Sequence, residues 1–222
     1  MKLETKDLLT GDEISSKEFL ELIDFSIKLK EENKTVKGKQ LLENKTLAML
    51  FEKPSTRTRV SFETGMKQLG GHTIILSLNE MQHSRGESVE DTAKTLSGYV
   101  DGIVARVYEH SFIEDLAKHA TVPVINGLSN SYHPCQTLAD FMTIKEHKKK
   151  FKDLKIAWIG DGNNVCNSLI FGCSKTQTDI VIATPKGFEP NPEVVKKASE
   201  NTTIDLTTDP ESAVKDADIV MT

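Results

Sequence analysis

The sequence predicts an α/β protein: a parallel sheet with helices on both faces, followed by a second, incomplete α/β domain. Apolar, strand-like runs alternate with segments of helical periodicity along the whole chain, which is the order that produces βαβ units. The apolar runs hardly alternate with polar residues. This pattern is expected for strands that are buried on both faces and joined by right-handed crossovers.

The first helix is predicted over residues 15–33. Ser15 and Glu18 form a capping box at its start, an arrangement that satisfies the first amides of a helix. Four apolar residues then recur on one stripe: Phe19, Leu22, Ile23 and Ile27. One face of this helix should therefore pack inward.

Four strand and helix pairs follow and complete the predicted first domain. The strands cover 46–51, 73–78, 102–107 and 122–126, and the helices cover 57–69, 89–99, 112–120 and 134–147. The charged stretch 146–155 lacks an apolar stripe, and a new strand begins directly after it. We therefore place the domain boundary here, with residues 1–148 in the first domain and residues 149–222 in the second.

The second domain begins as another α/β unit. Its predicted strands start at residues 155, 179 and 218, and a fourth strand is possible at 202. Because the sequence stops at Thr222, within or directly after the last strand, we expect this domain to be incomplete.

Composition excludes several classes of protein. The 28 basic and 33 acidic residues give a net charge of −5, so a surface that generally attracts nucleic acid is not expected. No apolar run reaches the roughly 20 residues of a membrane helix, and the charged N-terminal stretch does not resemble a signal peptide. The three cysteines show no CxxC spacing, so we predict packed thiols in a cytoplasmic protein.

Hydroxyl groups and arginines cluster where the first strand is followed by a helix. This turn carries Ser55, Thr56, Arg57, Thr58 and Arg59. Open α/β sheets bind ligands outside the carboxyl ends of their strands, and the first amides of a helix favour anions. Guanidinium groups add charge-assisted hydrogen bonds, so we predict a phosphate-binding cradle. It is not a P-loop, because the GxxxxGK pattern is absent.

Two more strand ends supply polar groups. Arg106 lies at the end of the third apolar run, and His133, Pro134, Cys135 and Gln136 lie where the next helix begins. His133 and Gln136 can donate hydrogen bonds to a carbonyl oxygen that becomes more negative as a tetrahedral centre forms. Because three strand ends bring polar donors to one sheet edge, the sequence predicts a single ligand site.

These motifs resemble the carbamoyltransferase family. The elements of the resemblance are FEKPSTRTR, the arginine at a later strand end and HPCQ before a helix. The resemblance covers nearly the whole chain and implies that the STRTR element binds the phosphate of carbamoyl phosphate, while the later Arg, His and Gln hold its carbamoyl oxygen and amide. The implied binding residues are Ser55, Thr56, Arg57, Thr58, Arg59, Gln82, Arg106, His133, Pro134, Cys135 and Gln136. The implied catalytic residues are Arg57, Arg106, His133 and Gln136.

Two further stretches resemble the ornithine enzymes of this family. Gln82, in MQHSRGES, matches a glutamine that reaches the carbamoyl phosphate site of a neighbouring subunit, whereas the aspartate enzymes have a Ser and a Lys in this loop. Asn164, in IGDGNNVCNS, matches an asparagine that contacts the amino-acid substrate. The resemblance therefore implies transfer of a carbamoyl group to ornithine, in arginine biosynthesis or the arginine deiminase route, by a homotrimer that needs no cofactor or metal.

Other functions remain open at this point. The acceptor could be aspartate or putrescine, or the chain could be a non-catalytic module that binds phosphate or another anion. The Gly160-x-Gly162 pattern is the start of a dinucleotide fingerprint, but its third glycine is replaced by Val165, which weakens an NAD-dependent role. His133 could be a hydrogen-bond donor, which we prefer, or a general base.

The resemblance also implies two later loops for the amino-acid site. One contains Ser-Met-Gly and the other contains a cysteine, and neither is present in the 222 residues. We therefore expect the 222-residue chain to be inactive or impaired, although it should still bind phosphate or carbamoyl phosphate weakly.

Overall fold

The structure is a computed structural model that describes residues 3–33, 40–81 and 86–222. Its helices are α1 Ser16–Glu32, α2 Thr56–Gln68, α3 Val89–Ser97, α4 His110–His119, α5 Pro134–Lys148, α6 Asn164–Thr176, α7 Pro192–Ala198 and α8 Pro210–Val214. Its strands are β1 Thr46–Phe51, β2 His72–Ser77, β3 Gly102–Arg106, β4 Val124–Leu128, β5 Lys155–Ile159, β6 Asp179–Ala183, β7 Ile204–Thr207 and β8 Ile219–Met221. The predicted α/β alternation is thus confirmed, including the possible strand at 202.

The chain divides into two compact units. The first unit contains the segment that ends at Leu9 together with Ile27–Asn130, and the second contains Thr10–Ser26 together with Ser131–Thr222. The second unit thus takes α5 and the first part of α1 from residues that precede the boundary expected at 148. That boundary stays a prediction.

The first unit is built on a parallel sheet with the strand order β2-β1-β3-β4. Because α2 leads toward one edge of this sheet and α3 and α4 lead toward the other, right-handed crossovers place them on opposite faces. Burial agrees with this arrangement. Leu47 and Met49 pack with Met66 of α2, whereas Ala48 and Leu50 belong to the cluster that contains residues of α3 and α4. Both faces of β1 are therefore covered.

The second unit is built on a parallel sheet with the strand order β7-β6-β5-β8. Helix α6 is buried along nearly its whole length, as expected for a helix that is covered on all sides. Phe141 of α5 contacts Phe19 in an edge-to-face arrangement, with 5.4 Å between the ring centroids, and lies 5.6 Å from Phe151. These rings join α1 and α5 in one apolar core.

The predicted capping box at the start of α1 is confirmed. The backbone amide of Ser15 donates to Glu18 Oε2 at 2.8 Å, and the amide of Glu18 donates to Ser15 Oγ at 3.2 Å. Phe19 and Ile23, on the predicted stripe, are buried. The helix therefore begins where its local sequence satisfies the first amides.

Two negative observations concern the described parts of the chain. No helix there is long and apolar enough to cross a membrane. In the same residues, no group of three or more His, Cys, Asp or Glu side chains could hold a metal ion.

Candidate anion and substrate site

The predicted cradle lies at the start of α2, beyond the carboxyl end of β1. Ser55 is the N-cap of α2, and its hydroxyl accepts a hydrogen bond from the Thr58 amide at 3.3 Å. The first turn contains no acidic residue, while Arg57 and Arg59 are both exposed there. Thr56, the first residue of the helix, is exposed as well. This helix start therefore presents cations where a helix dipole favours anions.

Arg106 reaches the same helix start from β3. Val104, two residues earlier, lies on the α2 face of the sheet, and Arg106 continues that face because strand side chains alternate. A bulge separates Ala105 from Arg106 in the pairing with β4. The Arg106 Nη1 atom donates to Thr58 Oγ1 at 3.0 Å. The structure thus brings Arg106 and the cradle together within the first unit.

The Arg106 guanidinium is not fully compensated. Its Nε atom is buried and has no hydrogen-bond partner among the described residues. Burial, and next the charge of Arg57, lower the pKa of Arg106. Two guanidinium groups that repel each other, one of them with a buried N–H to spare, form an arrangement that an anion would stabilise.

Glu52 and Lys53, which lie just before the cradle in the chain, make contacts that the sequence did not predict. The Glu52 amide donates to the Arg106 carbonyl at 2.9 Å, and Glu52 Oε2 accepts from the Tyr108 amide at 2.7 Å. Lys53 Nζ donates to Asn130 Oδ1 at 2.5 Å and lies 4.2 Å from the centre of the Tyr108 ring. Burial, and next the charge of Arg106, lower the pKa of Lys53. The sequence shows that both residues belong to the FEKP stretch, but it does not show their burial or their partners.

The HPCQ segment forms the start of α5 in the second unit. His133 is the N-cap, its carbonyl accepts from the Gln136 amide at 3.1 Å, and Pro134 follows in the first turn. The His133 amide donates to Ser168 Oγ at 2.8 Å, which ties this turn to α6. The His133 side chain is half-buried and that of Gln136 is exposed, so both stand where a small ligand can reach them.

The thiol of Cys135 is not suited to nucleophilic chemistry. Burial raises its pKa to about 12, and the reactive form of cysteine is the thiolate. Cys166 and Cys173 are buried free thiols, and burial also raises their pKa values. The prediction of packed thiols agrees with these environments.

Asn164 is the first residue of α6, which follows β5. The preceding Asn163 is the N-cap, and its Oδ1 accepts from the amides of Val165 and Cys166 at 2.9 and 3.2 Å. Asn164 is half-buried, and its Oδ1 accepts from the Val165 amide at 3.0 Å. The structure thus places Asn164 at a helix start in the second unit, at the carboxyl end of a parallel strand.

The same loop argues against dinucleotide binding. The Gly162 amide donates to the Phe188 carbonyl at 2.7 Å, and a Cβ at Gly162 would lie 2.1 Å from the backbone nitrogen of Pro190. In a dinucleotide fingerprint, the second glycine lets the backbone approach a pyrophosphate. Here the chain's own backbone occupies the space beside Gly162.

The predicted site residues therefore fall into two groups. Ser55 to Arg59 and Arg106 lie in the first unit, whereas His133 to Gln136 and Asn164 lie in the second. Gln82 lies outside the described residues. The prediction that all these strand ends serve one ligand stays a prediction.

Fold and side chains define a two-unit parallel α/β protein with a cationic helix start at the end of a strand. Residues 6–146 match the aspartate/ornithine carbamoyltransferase carbamoyl-P binding domain, and residues 152–222 match the Asp/Orn binding domain of the same family. The chain belongs to the aspartate/ornithine carbamoyltransferase family.

Individual relatives carry the name of one branch of this family. Ornithine carbamoyltransferase of Cenarchaeum symbiosum is 57% identical over 222 residues, which are 100% of this chain and 73% of the relative. The enzyme of the same name from Bacillus thuringiensis subsp. konkukian is 51% identical over 226 aligned residues, which cover 100% of this chain and 70% of the relative.

Solved structures of ornithine carbamoyltransferases have the same fold as this chain. Ornithine carbamoyltransferase from Pyrococcus furiosus superposes with a TM-score of 0.95 at 49% identity, over 99% of this chain and 72% of that one. The enzyme from Thermus thermophilus gives a TM-score of 0.88 at 43% identity, over 94% and 70% of the two chains. The predicted fold and family are thus confirmed.

Proposed function

We propose that this protein is an ornithine carbamoyltransferase, which transfers the carbamoyl group of carbamoyl phosphate to the side-chain amine of L-ornithine. The products are L-citrulline and phosphate. The observation that carries the proposal is the pair formed by Arg57 and the incompletely compensated Arg106 at the start of α2. The names of the matched domains and relatives identify the anion as carbamoyl phosphate and the acceptor as ornithine.

The phosphate group binds at the start of α2. The first amides of the helix and the hydroxyls of Ser55, Thr56 and Thr58 donate to phosphate oxygens, and Arg57 supplies two parallel charge-assisted hydrogen bonds. Arg59 adds positive charge at the edge of this cradle. A dianion at this position also relieves the repulsion between Arg57 and Arg106. Binding is therefore favoured both by the hydrogen bonds to the phosphate and by the loss of this repulsion.

The carbamoyl group is held by Arg106, His133 and Gln136. The nitrogen lone pair of the neutral ornithine amine attacks the carbamoyl carbon, and the bond from that carbon to the phosphate oxygen then breaks with its electron pair on the phosphate. The departing phosphate takes the proton of the attacking amine. Arg106 and His133 stabilise the oxyanion of the tetrahedral intermediate, an effect worth about 2.7–4 kcal/mol per donor in other enzymes. Cys135, whose raised pKa keeps it protonated, contributes packing rather than a nucleophile.

His133 acts as a hydrogen-bond donor in this proposal. A general base would compete for the same proton with the phosphate, which leaves with negative charge next to the amine. An ornithine ammonium resembles that of lysine, whose pKa is about 10.4, so only a small fraction is neutral at pH 7. The nearby charges of Arg57 and Arg106 favour the neutral amine.

The acceptor is ornithine, with Asn164 in contact with its amino-acid part. The position of Asn164 at a helix start in the unit that matches the Asp/Orn binding domain supports this role. The branch-specific relatives favour ornithine over aspartate or putrescine. They also favour an enzyme over a non-catalytic anion-binding module.

Further parts of the proposal concern organisation and cellular role. We place the domain boundary after residue 148, close to the gap between the two family matches. The assembly is a homotrimer in which Gln82 reaches the site of a neighbouring subunit. The enzyme acts in the cytoplasm, either in arginine biosynthesis or in the arginine deiminase route, and it needs no cofactor or metal.

Calorimetric titration with carbamoyl phosphate tests the assignment of the cradle. Arg57→Ala should weaken binding at least about 100-fold, because it removes two charge-assisted hydrogen bonds. Lys67→Ala removes a cation from the far end of the same helix and should leave affinity unchanged. Unchanged affinity in a folded Arg57→Ala protein would overturn the assignment. Citrulline formation from ornithine, with aspartate and putrescine as competing acceptors, then tests the reaction.

A further inference from the structure

The exposed amide of Gln136 has a fixed partner one helical turn away. Its Nε2 atom donates to Asp140 Oδ1 at 2.9 Å, the geometry expected for residues four apart on one face of a helix. An ionised carboxylate only accepts hydrogen bonds, so it selects the nitrogen end of the amide. The Oε1 atom of Gln136 must therefore point away from Asp140, and Gln136 is exposed.

The Asp140 carboxylate is partly buried and only partly hydrogen-bonded. Its Oδ2 atom is buried and has no hydrogen-bond partner in the described part of the chain. Burial also raises the pKa of Asp140, while the Gln136 hydrogen bond lowers it. A buried acceptor without a partner is costly. The packing face of α5 is supplied by other residues, among them Thr137, Phe141 and Ile144.

We infer that Asp140 is a positioning residue that sets specificity by orienting the Gln136 amide. With its nitrogen engaged by Asp140, Gln136 presents Oε1 as an acceptor for the N–H groups of a carbamoyl amide. Acetyl phosphate has a methyl group in that place and cannot donate a hydrogen bond to this acceptor. A site built around such an acceptor rejects the analogue that lacks the donor. This inference rests on the proposed function, because it takes carbamoyl phosphate as the ligand.

Affinities for carbamoyl phosphate and acetyl phosphate, measured by calorimetry, test the inference. Asp140→Ala should weaken carbamoyl phosphate binding about 5- to 10-fold, the effect of one hydrogen bond that is no longer oriented, and leave acetyl phosphate binding unchanged. Asp140→Asn keeps a carbonyl acceptor for Nε2 and should retain most of the preference. Asp115→Ala removes an exposed carboxylate from α4 and serves as the matched control.

A double-mutant cycle with Gln136→Ala separates positioning from general stability. If Asp140 acts through Gln136, then Asp140→Ala has no further effect on affinity in the Gln136→Ala background. Equal weakening of both acyl phosphates, or a persisting effect in that background, would overturn the inference and leave the proposed function intact. If the unsubstituted chain binds neither acyl phosphate, both the proposed function and the inference fail.

Discussion

Replacement of Arg106 by methionine should stabilise the unliganded protein while it abolishes anion binding. The substitution removes a buried Nε–H group that has no partner among the described residues and ends the repulsion with Arg57. An unsatisfied buried polar group costs about 1–3 kcal/mol, whereas the lost hydrogen bond to Thr58 contributes about 0.5–1.5 kcal/mol net. Methionine fills the space of the arginine stem with a flexible apolar chain. The balance is a gain of about 1 kcal/mol in the free energy of unfolding.

Scanning calorimetry with and without phosphate measures both effects. For a chain of this size, a gain of about 1 kcal/mol raises Tm by about 2–4 °C. Inorganic phosphate at about 100 times its Kd should add about 2.7 kcal/mol to the unfolding free energy of the unsubstituted chain and nothing to Arg106→Met. Lys67→Met, at an exposed position of α2, is the control. A lower Tm for Arg106→Met without phosphate would mean that this arginine stabilises the fold, and the reasoning would be refuted.

Two further predictions concern packing and pH. Gly162→Ala should lower the free energy of unfolding by about 1–3 kcal/mol or more, because the new Cβ meets the Pro190 backbone. Gly65 lies inside α2 with nothing within 4 Å of an added Cβ, so Gly65→Ala should raise the free energy of unfolding by up to about 1 kcal/mol. Thermal unfolding in which both variants shift in the same direction would contradict this. The hydrogen bond from Lys45 lowers the pKa of Asp101 below its ordinary value of 3.8. The stability that this hydrogen bond contributes is therefore present above the ordinary pKa and is lost as the pH falls through the lower pKa of Asp101 in the folded state. Asp101→Asn should remove this loss from an acid titration of stability, and an unchanged acid limb would count against the assignment.

Much of the fold could be predicted because local and global signals agree. The capping box of Ser15 and Glu18 marks the start of α1 to within a residue. The apolar runs locate the strands other than β7, which the sequence predicts only as a possible strand at residue 202. Helix α4 begins at His110, two residues before the prediction, since its N-cap Glu109 makes no side-chain capping bond that a pattern could reveal. Boundaries without such a cap depend on tertiary contacts.

The sequence predicted the residue types of the candidate site better than the contacts between its residues. Arg57 and Arg106 were found because a cation at a helix start and a charge at the end of an apolar strand both break the expected pattern. The contacts of Lys53 and the role inferred for Asp140 could not be found in this way. Both depend on burial and on partners distant in space or one helical turn away, such as Asn130 for Lys53, and a charged residue in a helix or loop is ordinarily a solvated one.

The discontinuous second unit has a consequence for synthesis on the ribosome. Its early segment, Thr10–Ser26, leaves the exit tunnel more than a hundred residues before its partners. Phe19 must wait for Phe141, and Asp24 must wait for Lys145, to which it forms an ion pair at 3.0 Å. During this interval the apolar stripe of α1 is exposed, whereas the sheet of the first unit can already form from Ile27–Asn130. The nascent chain thus carries an early amphipathic helix that needs protection from aggregation until α5 emerges.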